Sequence, residues 1–369
     1  MYGNCTKRPG SPKANDELIK TQLQVLVIFS LMNPAVNALM YLAVAAICLS
    51  GSRQAAAGSA TPGTVMAAVT YTTQLLNGIL MLVMLFQNIS KGLVSWKRVK
   101  EILDTGPELE NGGFTGSAEE RGTVEFRDVC FAYPGSERPV LEHISLKIAP
   151  GETVAIMGAT GCGKTSLANL IPRFYDVKSG AVLVDGIDVR DYDMQALRSK
   201  IAVTLQRAEL FGVSTGENIA WGRPGASQEE ISRAAGIAQA DGFISAQAGG
   251  YDTMVAERGM SLSGGQKQRP SIARAVIKPA EILILDDSTS ALDLRTEAEL
   301  YTALEEFRRN TTKIIIAQRI ASVRRADRIV VLDKGAIAAA GSHEELMESC
   351  AIYQDIYRSQ MGEEDEDIA

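Results

Sequence analysis

The chain has 369 residues, of which 46% are hydrophobic and 22% charged, and its formal net charge is −7 at neutral pH. This composition is typical of globular and membrane protein and differs from that of a disordered chain. The acidic balance argues against nucleic acid as the main partner. The five cysteines are scattered without paired spacing, which favours reduced thiols over a disulfide framework or a zinc site.

Two long stretches near the N-terminus lack charged residues. No Asp, Glu, Lys or Arg occurs between Lys20 and Arg53, or between Arg53 and Lys91. Each stretch is long enough for a membrane-spanning helix of about 20 residues, and globular helices rarely lack charge over such lengths. The pattern therefore predicts two spans, at about 23–49 and 64–89, within a partial transmembrane domain at 1–103.

Basic residues flank this pair of spans on both outer sides. Lys7, Arg8, Lys13 and Lys20 precede the first span, and Lys91, Lys97, Arg98 and Lys100 follow the second. Only Arg53 lies between them. The positive-inside rule places both outer ends in the cytoplasm. We expect a multi-pass protein of the cell (plasma) membrane, with both termini and the C-terminal domain cytoplasmic.

A change of pattern follows the spans. Residues 104–121, rich in glycine and acids, predict a linker, residues 122–360 a folded domain, and residues 361–369 an acidic tail. Alternating apolar residues at 124–129 and 141–148 predict strands of an antiparallel lobe. Continuous apolar runs predict buried parallel strands, at 153–157, 282–285, 313–317 and 329–332. The predicted fold class is therefore α/β.

A glycine-rich loop stands between the apolar run 153–157 and a helix-like stretch at 166–170. Its glycines let backbone N–H groups point at phosphate oxygens, and the helix start favours negative charge. Lys164 would reach the β- and γ-phosphates, and Thr165 would offer its hydroxyl to Mg²⁺. Asp286, which ends a buried strand, would hold the same ion. The nucleotide-binding candidates are Gly158, Ala159, Thr160, Gly161, Cys162, Gly163, Lys164, Thr165 and Ser166.

The segment Leu262-Ser263-Gly264-Gly265-Gln266, some twenty residues before Asp286, resembles the signature sequence of the ATP-binding cassette (ABC) transporter family. The resemblance implies a P-loop (RecA-like) nucleotide-binding domain with an antiparallel β lobe and a helical signature lobe, preceded by transmembrane helices. It further implies ATP and Mg²⁺ as cofactors. In such a domain Tyr133 would stack on adenine, and Gln206 would contact the Mg²⁺ and couple to the membrane part.

A Ser-Gly-Gly turn opening a helix also makes a second anion site. Because the first loop already holds phosphates, Ser263, Gly264, Gly265 and Gln266 are best used on a partner's ATP. Residues 290–293, Ser-Ala-Leu-Asp, would cross between the two cassettes, as the family pattern implies. The motif thus predicts two cassettes that hold two ATP molecules head to tail.

Two positions depart from the family pattern. Hydrolytic members carry Glu after the Mg²⁺ aspartate, and this chain carries Asp287, whose carboxylate is one methylene shorter. Catalysis of phosphoryl transfer depends on positioning, and a displacement of about an ångström can lower the rate roughly 10²-fold. The family's switch histidine is replaced by Gln318. Its amide can donate to a γ-phosphate but cannot carry a proton. Asp287 and Gln318 are the candidate catalytic positions.

These departures, beside intact ATP-binding motifs, predict the weakened half of a heterodimeric exporter. Its own site would hydrolyse ATP slowly, and its signature would complete the partner's site. The alternatives are a slow homodimeric ATPase and a non-transporting ATP-binding fragment. The expected partners are a second ABC half-transporter, membrane lipid, and a small-molecule, lipid or peptide substrate.

The length of the membrane region also departs from the family. The exporter half-subunits that the resemblance implies carry six membrane helices, and this chain has room for the last two. We expect either a truncated reading frame or fragment, or four helices supplied by another polypeptide.

Overall fold

The computed structural model describes residues 12–107, 109–116, 121–260, 262–307 and 310–361. Most of the predicted acidic tail, from residue 362 onward, therefore lies outside the described residues. The chain divides into two compact units, with the boundary between Gly106 and Pro107.

The described part of the N-terminal unit, from residue 12 onward, consists of two helices, α1 at Pro12–Ala56 and α2 at Pro62–Asp104. The hydroxyl of Thr61 accepts a hydrogen bond from the N–H of Thr64, and Pro62 occupies the first helical turn, where its missing N–H costs nothing. By length and composition, Pro34–Ala56 and Pro62–Asp104 could each cross a membrane. The two uncharged stretches of the sequence lie on these two helices.

The second unit is built on strands and helices that alternate along the chain. Its strands are β1 Val124–Phe131, β2 Leu141–Ile148, β3 Thr153–Met157, β4 Ser179–Val184, β5 Ile187–Asp188, β6 Ile201–Thr204, β7 Ile282–Asp286, β8 Thr312–Ile316, β9 Arg328–Asp333 and β10 Ala336–Gly341. Its helices are α3 Lys164–Leu170, α4 Met194–Lys200, α5 Thr215–Ala220, α6 Gln228–Ile237, α7 Asp241–Ser245, α8 Gly264–Ile277, α9 Leu294–Glu306, α10 Ile320–Val323, α11 His343–Ser349 and α12 Ala351–Met361.

The strands form two sheets. A four-stranded antiparallel sheet has the order β2-β1-β4-β5, and a six-stranded sheet has the order β10-β9-β3-β8-β7-β6. In the larger sheet β6, β7, β8, β3 and β9 are parallel, and β10 pairs antiparallel with β9. All five residues of β7 and of β8 are buried, as expected for parallel strands covered on both faces. The fold class and the predicted strands are confirmed.

Two hydrophobic cores lie on opposite faces of the larger sheet. Ile314 and Ile316 of β8 point into the core shared with the antiparallel sheet, and Ile315 points into the core shared with the helices. This is the alternation that a strand imposes on successive side chains. Helices α5 to α8 follow β6 and precede β7, so the helical lobe is an insertion between two adjacent strands.

Part of the segment predicted as a linker packs against the α/β unit. Phe114 forms a parallel bridge with Tyr192, and the two rings meet edge to face at 5.1 Å. The side chain of Asn111 donates to Asp193 Oδ2 at 2.7 Å and accepts from the N–H of Met194 at 2.7 Å. At Gly112 the approach is close, because a Cβ there would lie 2.3 Å from the backbone of Asp191.

Candidate functional site

The phosphate loop joins the end of β3 to the start of α3, at the carboxyl edge of the parallel sheet. Gly158 begins the turn with φ +145°, and a Cβ at this position would lie 2.1 Å from the carbonyl oxygen of Leu332. Only glycine fits here, because the loop runs directly over the end of β9. The loop thus has the strand, turn and helix context that phosphate binding requires.

The lysine of this loop is folded back on the loop itself. Lys164 Nζ donates to the carbonyl oxygens of Gly158 at 2.6 Å and Ala159 at 2.9 Å, and lies 3.8 Å from Cys162 Sγ. The side chain is buried although it carries a charge. Phosphate oxygens of a bound nucleotide would replace these two carbonyl oxygens as acceptors. The ammonium therefore already lies beside the loop where the phosphates are expected to bind.

The residues proposed to hold the metal lie together. Thr165 Oγ1 donates to Asp286 Oδ1 at 3.0 Å, and Thr165, Gln206 and Asp286 line one open cavity of about 730 Å³ between the sheet and the helical lobe. Burial raises the pKa of the Asp286 carboxyl, and the neighbouring Asp287 adds to this effect, while the hydrogen bond from Thr165 opposes it. A divalent cation would relieve this desolvated charge.

The donor set fits Mg²⁺, which keeps several waters and is held by one or two protein oxygens. Among the described residues no cluster of three or more His, Cys, Asp or Glu side chains could form an all-protein metal cage.

The carboxylate of Asp287 is held by the two glutamines of the site. Gln206 Nε2 donates to Asp287 Oδ2 at 3.2 Å and Gln318 Nε2 donates to the same oxygen at 2.9 Å. The backbone of Asp287 has φ +45°, a left-handed conformation that Asp adopts more readily than most residues, and its N–H donates to the carbonyl of Ile316 at 2.8 Å. The two predicted catalytic positions, Asp287 and Gln318, are thus in direct contact, and Gln206, predicted to contact Mg²⁺, bonds to the same carboxylate.

The aromatic residue proposed for adenine stands beside the loop. Tyr133 is partly exposed, and its hydroxyl shares a hydrogen bond with Ser166 Oγ at 2.8 Å. Its ring packs edge to face against Phe131 at 5.0 Å and Tyr175 at 5.1 Å. The contact of Tyr175 with Tyr133 was not predicted, because Tyr175 follows α3 and stands in no motif.

The signature segment opens helix α8. Ser263 is its N-cap, and a capping box joins Ser263 and Gln266: the Gln266 N–H donates to Ser263 Oγ at 3.3 Å and the Ser263 N–H donates to Gln266 Oε1 at 3.0 Å. Ser263 and Gly264 are exposed. Within the described residues no hydrogen bond joins Ser263 or Gln266 to the phosphate loop of the same chain.

The loop at 290–293 is hydrogen-bonded both to the signature helix α8 and to residues 318–320, which are called the switch region below. The Ala291 N–H donates to Gln268 Oε1 at 3.1 Å, and Arg319, the residue after Gln318, donates to the Ser290 carbonyl at 3.1 Å and the Leu292 carbonyl at 3.0 Å. Sequence reasoning missed Gln268 and Arg319. Their only signal was their position beside the motif residues.

A buried carboxylate lies behind this loop. Glu297 on α9 is 3% exposed, accepts from Thr289 Oγ1 at 2.6 Å, from Arg319 Nη1 at 3.1 Å, and from Ser322 at short range. Because a buried charge is retained only when it is paired and hydrogen-bonded, Glu297 ties the strand β7 end, α9 and the switch region together. Sequence reasoning missed this residue as well.

The two histidines lie outside this constellation. His143 is exposed and pairs with Asp128 at 2.8 Å, which raises the pKa of its imidazole. His343 opens α11, and its Nδ1 shares a hydrogen bond with the buried Tyr353 hydroxyl at 2.7 Å. Neither fills the role of the missing switch histidine.

Comparison with known proteins gives a consistent result. Residues 141–290 match the ABC transporter family. The chain is 37% identical over 351 residues to the ATP-dependent lipid A-core flippase of Vibrio vulnificus (strain CMCP6), covering 95% of this chain and 60% of that protein. It is 40% identical over 353 residues to the uncharacterized ABC transporter ATP-binding protein YfiB of Bacillus subtilis, covering 95% of this chain and 58% of the relative.

A solved structure of a bacterial Atm1-family ABC exporter with ATP bound superposes with a TM-score of 0.83 at 33% identity, covering 95% of this chain and 62% of that one. The chain therefore spans about three fifths of the length of these relatives. Motifs, topology and comparisons agree that the chain carries an ABC transporter domain, and it also holds two candidate membrane helices.

Proposed function

We propose that this chain is the degenerate-site subunit of a two-cassette exporter. It would bind ATP and Mg²⁺ at its own site and hydrolyse that ATP slowly, while its signature completes a competent site on a different partner subunit. The observation that carries this proposal is the hydrogen bonding of Asp287: its Oδ2 accepts from the side-chain amides of both Gln206 and Gln318.

Such a carboxylate is poorly arranged to activate water. The aspartate side chain is one methylene shorter than that of glutamate, so its carboxylate lies closer to the backbone. This matters because phosphoryl transfer depends on the placement of the attacking water. One of its two oxygens is already occupied by two amide donors. The glutamine that replaces histidine can donate a hydrogen bond but cannot pass on a proton.

The nucleotide-binding parts are arranged for use. Lys164 is stored on the phosphate loop, and Thr165 and Asp286 form a hydrogen-bonded pair that suits Mg²⁺. Tyr133 offers a partly exposed aromatic ring for adenine. These contacts support retention of Mg·ATP at a site where the cleavage step is slow.

The signature supports a partner across a shared nucleotide. Ser263 and Gly264 are exposed at the beginning of a 14-residue helix, whereas the following Gln268 is buried. A helix N-terminus with exposed backbone N–H groups favours a phosphate. Since the phosphate loop of this chain is expected to hold its own ATP, the ATP that meets this helix would belong to the second subunit.

The substrate and location follow from the relatives and from the helices. Several relatives are named lipid A-core flippases, which favours a lipid among the drug-like, lipid and peptide classes. The two apolar helices support a multi-pass membrane protein, and the basic residues that flank them support a cytoplasmic ATPase domain.

The test is the composition of the complex purified from its native membrane by a tag on this chain. Native mass spectrometry is expected to give one copy of this chain and one of a second ABC subunit, which carries Glu and His at the positions of Asp287 and Gln318. Recovery of a self-dimer alone, with rapid ATP hydrolysis, would refute the proposal and favour the homodimeric alternative.

A further inference from the structure

The last turn of α12 reaches the switch region. The side-chain amide of Gln360 forms two hydrogen bonds with the backbone on either side of Arg319. Its Nε2 donates to the carbonyl of Gln318 at 2.5 Å, and its Oε1 accepts from the N–H of Ile320 at 2.8 Å. The Gln360 side chain thus holds two successive peptide groups of the switch region, in which Gln318 contacts Asp287.

The loop lacks a local cap that could do the same. Ile320 is the first residue of α10, and its N-cap residue, Arg319, makes no side-chain cap hydrogen bond. The first N–H groups of a helix have no intrahelical partner, and a short polar side chain at the N-cap normally accepts from one of them. Arginine has only donors, so it cannot serve. Gln360 supplies the missing acceptor from 40 residues away.

The remainder of the switch region is held from the other side. Arg319 donates to the carbonyls of Ser290 and Leu292 and pairs with the buried Glu297. With Gln360 on the opposite flank, the backbone at 318–320 is fixed from two directions. The direction of that backbone decides where the Gln318 amide points, and it points at Asp287 Oδ2 over 2.9 Å.

Helix α12 is a firm base for this contact. Tyr353 is fully buried and bonded to His343, and Gln354 Nε2 donates to the carbonyl of Met347 at 2.7 Å. Gln360 itself lies at the exposed end of the helix. Its removal would therefore release the switch loop without opening a core, since exposed substitutions away from the core change stability little.

We propose that Gln360 is a positioning residue for ATP hydrolysis, which sets the direction of Gln318 by capping α10 and holding the Gln318 carbonyl. This inference rests on the proposed role of Gln318 at the site. It does not depend on whether the site hydrolyses ATP slowly or rapidly, because the two hydrogen bonds of Gln360 hold the backbone and do not involve the side chain at position 318.

The test compares kcat and KM for ATP in the complex of this chain with its partner subunit, in which the partner's own phosphate-loop lysine is replaced by alanine so that turnover reports the site of this chain; release of radiolabelled phosphate is the assay, so that slow turnover is measured. Gln360→Ala is expected to lower kcat roughly 3- to 10-fold, as expected for loss of one or two hydrogen bonds that orient a catalytic group. The KM should stay within about twofold, since the clamp touches no nucleotide-binding side chain. Gln360→Glu retains the acceptor but loses the donor, and should give an intermediate kcat.

Two further variants separate positioning from folding. Ser359→Ala, at the neighbouring exposed position, is the matched control and should leave kcat unchanged. Gln318→Ala should lower kcat by itself, and adding Gln360→Ala to it should have no further effect, because the two residues act through one group. Thermal unfolding of each variant reports whether the fold has changed.

The outcomes are distinguishable. If Gln318→Ala lowers kcat and Gln360→Ala does not, the positioning role is wrong and the proposed role of Gln318 stands. If Gln318→Ala is silent, both are wrong. Additive effects of the two substitutions would overturn action through Gln318, and a loss of kcat matched by a large fall in melting temperature would assign Gln360 a structural role instead.

Discussion

Replacement of Asp287 by glutamate tests directly why the site should be slow. In the native chain the Asp287 carboxylate hangs from a backbone with φ +45° and accepts the amides of Gln206 and Gln318 on one oxygen. Glutamate extends the carboxylate by one carbon–carbon bond, about 1.5 Å. We expect the longer side chain to bring its oxygens to the position from which an attacking water can be oriented.

The expected gain follows from this displacement. A misplacement of about 1 Å at a reacting group can lower the rate roughly 10²-fold, which corresponds to about 2.7 kcal/mol of activation free energy. Asp287→Glu should therefore raise the cleavage rate by up to about 10²-fold. Glutamate is less suited to a left-handed backbone than aspartate, so the free energy of unfolding should fall by about 1 kcal/mol. This backbone strain at position 287 is equal in the ground state and the transition state, so it lowers the stability of the fold but changes the cleavage rate little.

The assay is single-turnover cleavage of radiolabelled ATP by an excess of the complex of this chain with its partner, in which the partner's own phosphate-loop lysine is replaced by alanine, so that cleavage reports the site of this chain and nucleotide binding does not limit the rate. Asp252→Glu is the matched control, since it adds the same methylene at an exposed position of the helical lobe. Lys164→Ala gives the background without phosphate binding. Gln318→His, added to Asp287→Glu, should raise the rate further, because histidine can exchange a proton near neutral pH.

A cleavage rate for Asp287→Glu within twofold of the native chain would refute this reasoning, provided that Lys164→Ala abolishes cleavage. The withdrawn carboxylate would then not be the reason for a slow site. A native chain that already cleaves ATP as fast as the glutamate variant would lead to the same conclusion.

Three further predictions follow from the structure. Burial raises the pKa of Asp286, so this carboxyl stabilises the nucleotide-free fold at low pH and loses that contribution as the pH rises through its folded pKa. Asp286→Asn should therefore raise the melting temperature at pH 7 by about 2–4 °C while abolishing Mg·ATP binding, as differential scanning fluorimetry with and without Mg·ATP would show. Pro270 lies inside α8 and is buried, and Pro270→Ala should stabilise the domain in urea unfolding by about 1 kcal/mol, because the helix gains about 3 kcal/mol and loses roughly 0.8 kcal/mol for each of two methylenes. Gly112→Ala should detach residues 111–114 and expose them to limited proteolysis, because the added Cβ would collide with the Asp191 backbone; unchanged cleavage at this segment would contradict the packing described above.

The sequence allowed the α/β fold and its main strands to be predicted, because burial on both faces leaves a continuous apolar run and burial on one face leaves an alternation. The runs around β3, β7 and β8 carried this signal, and the structure confirms them as parallel neighbours. Strand order was not readable, since β3 pairs with β8 and β9 from far along the chain.

The candidate site was only partly readable. Motif spacing placed Asp287 and Gln318 just after two predicted strands, and the structure pairs these strands, which brings the two side chains into contact. The hydrogen bonds of Glu297 and Gln360 depend on how helices pack around the switch region, and neither residue stands in a motif. The roles assigned to the motif residues in nucleotide binding remain predictions, which the variants above would test.

The proposed pair of subunits is unequal: this chain would keep ATP intact while its partner cleaves it. The most direct measurement uses the complex purified with its native partner, incubated with Mg²⁺ and a photoreactive ATP that is radiolabelled on the α-phosphate, and then irradiated during steady turnover. Because the label attaches to the subunit that contacts the adenine, the nucleotide bound to each subunit can be released and identified separately. We expect mostly triphosphate on this chain and mostly diphosphate on the partner; equal proportions of diphosphate on both subunits would show that this chain cleaves its ATP as the partner does.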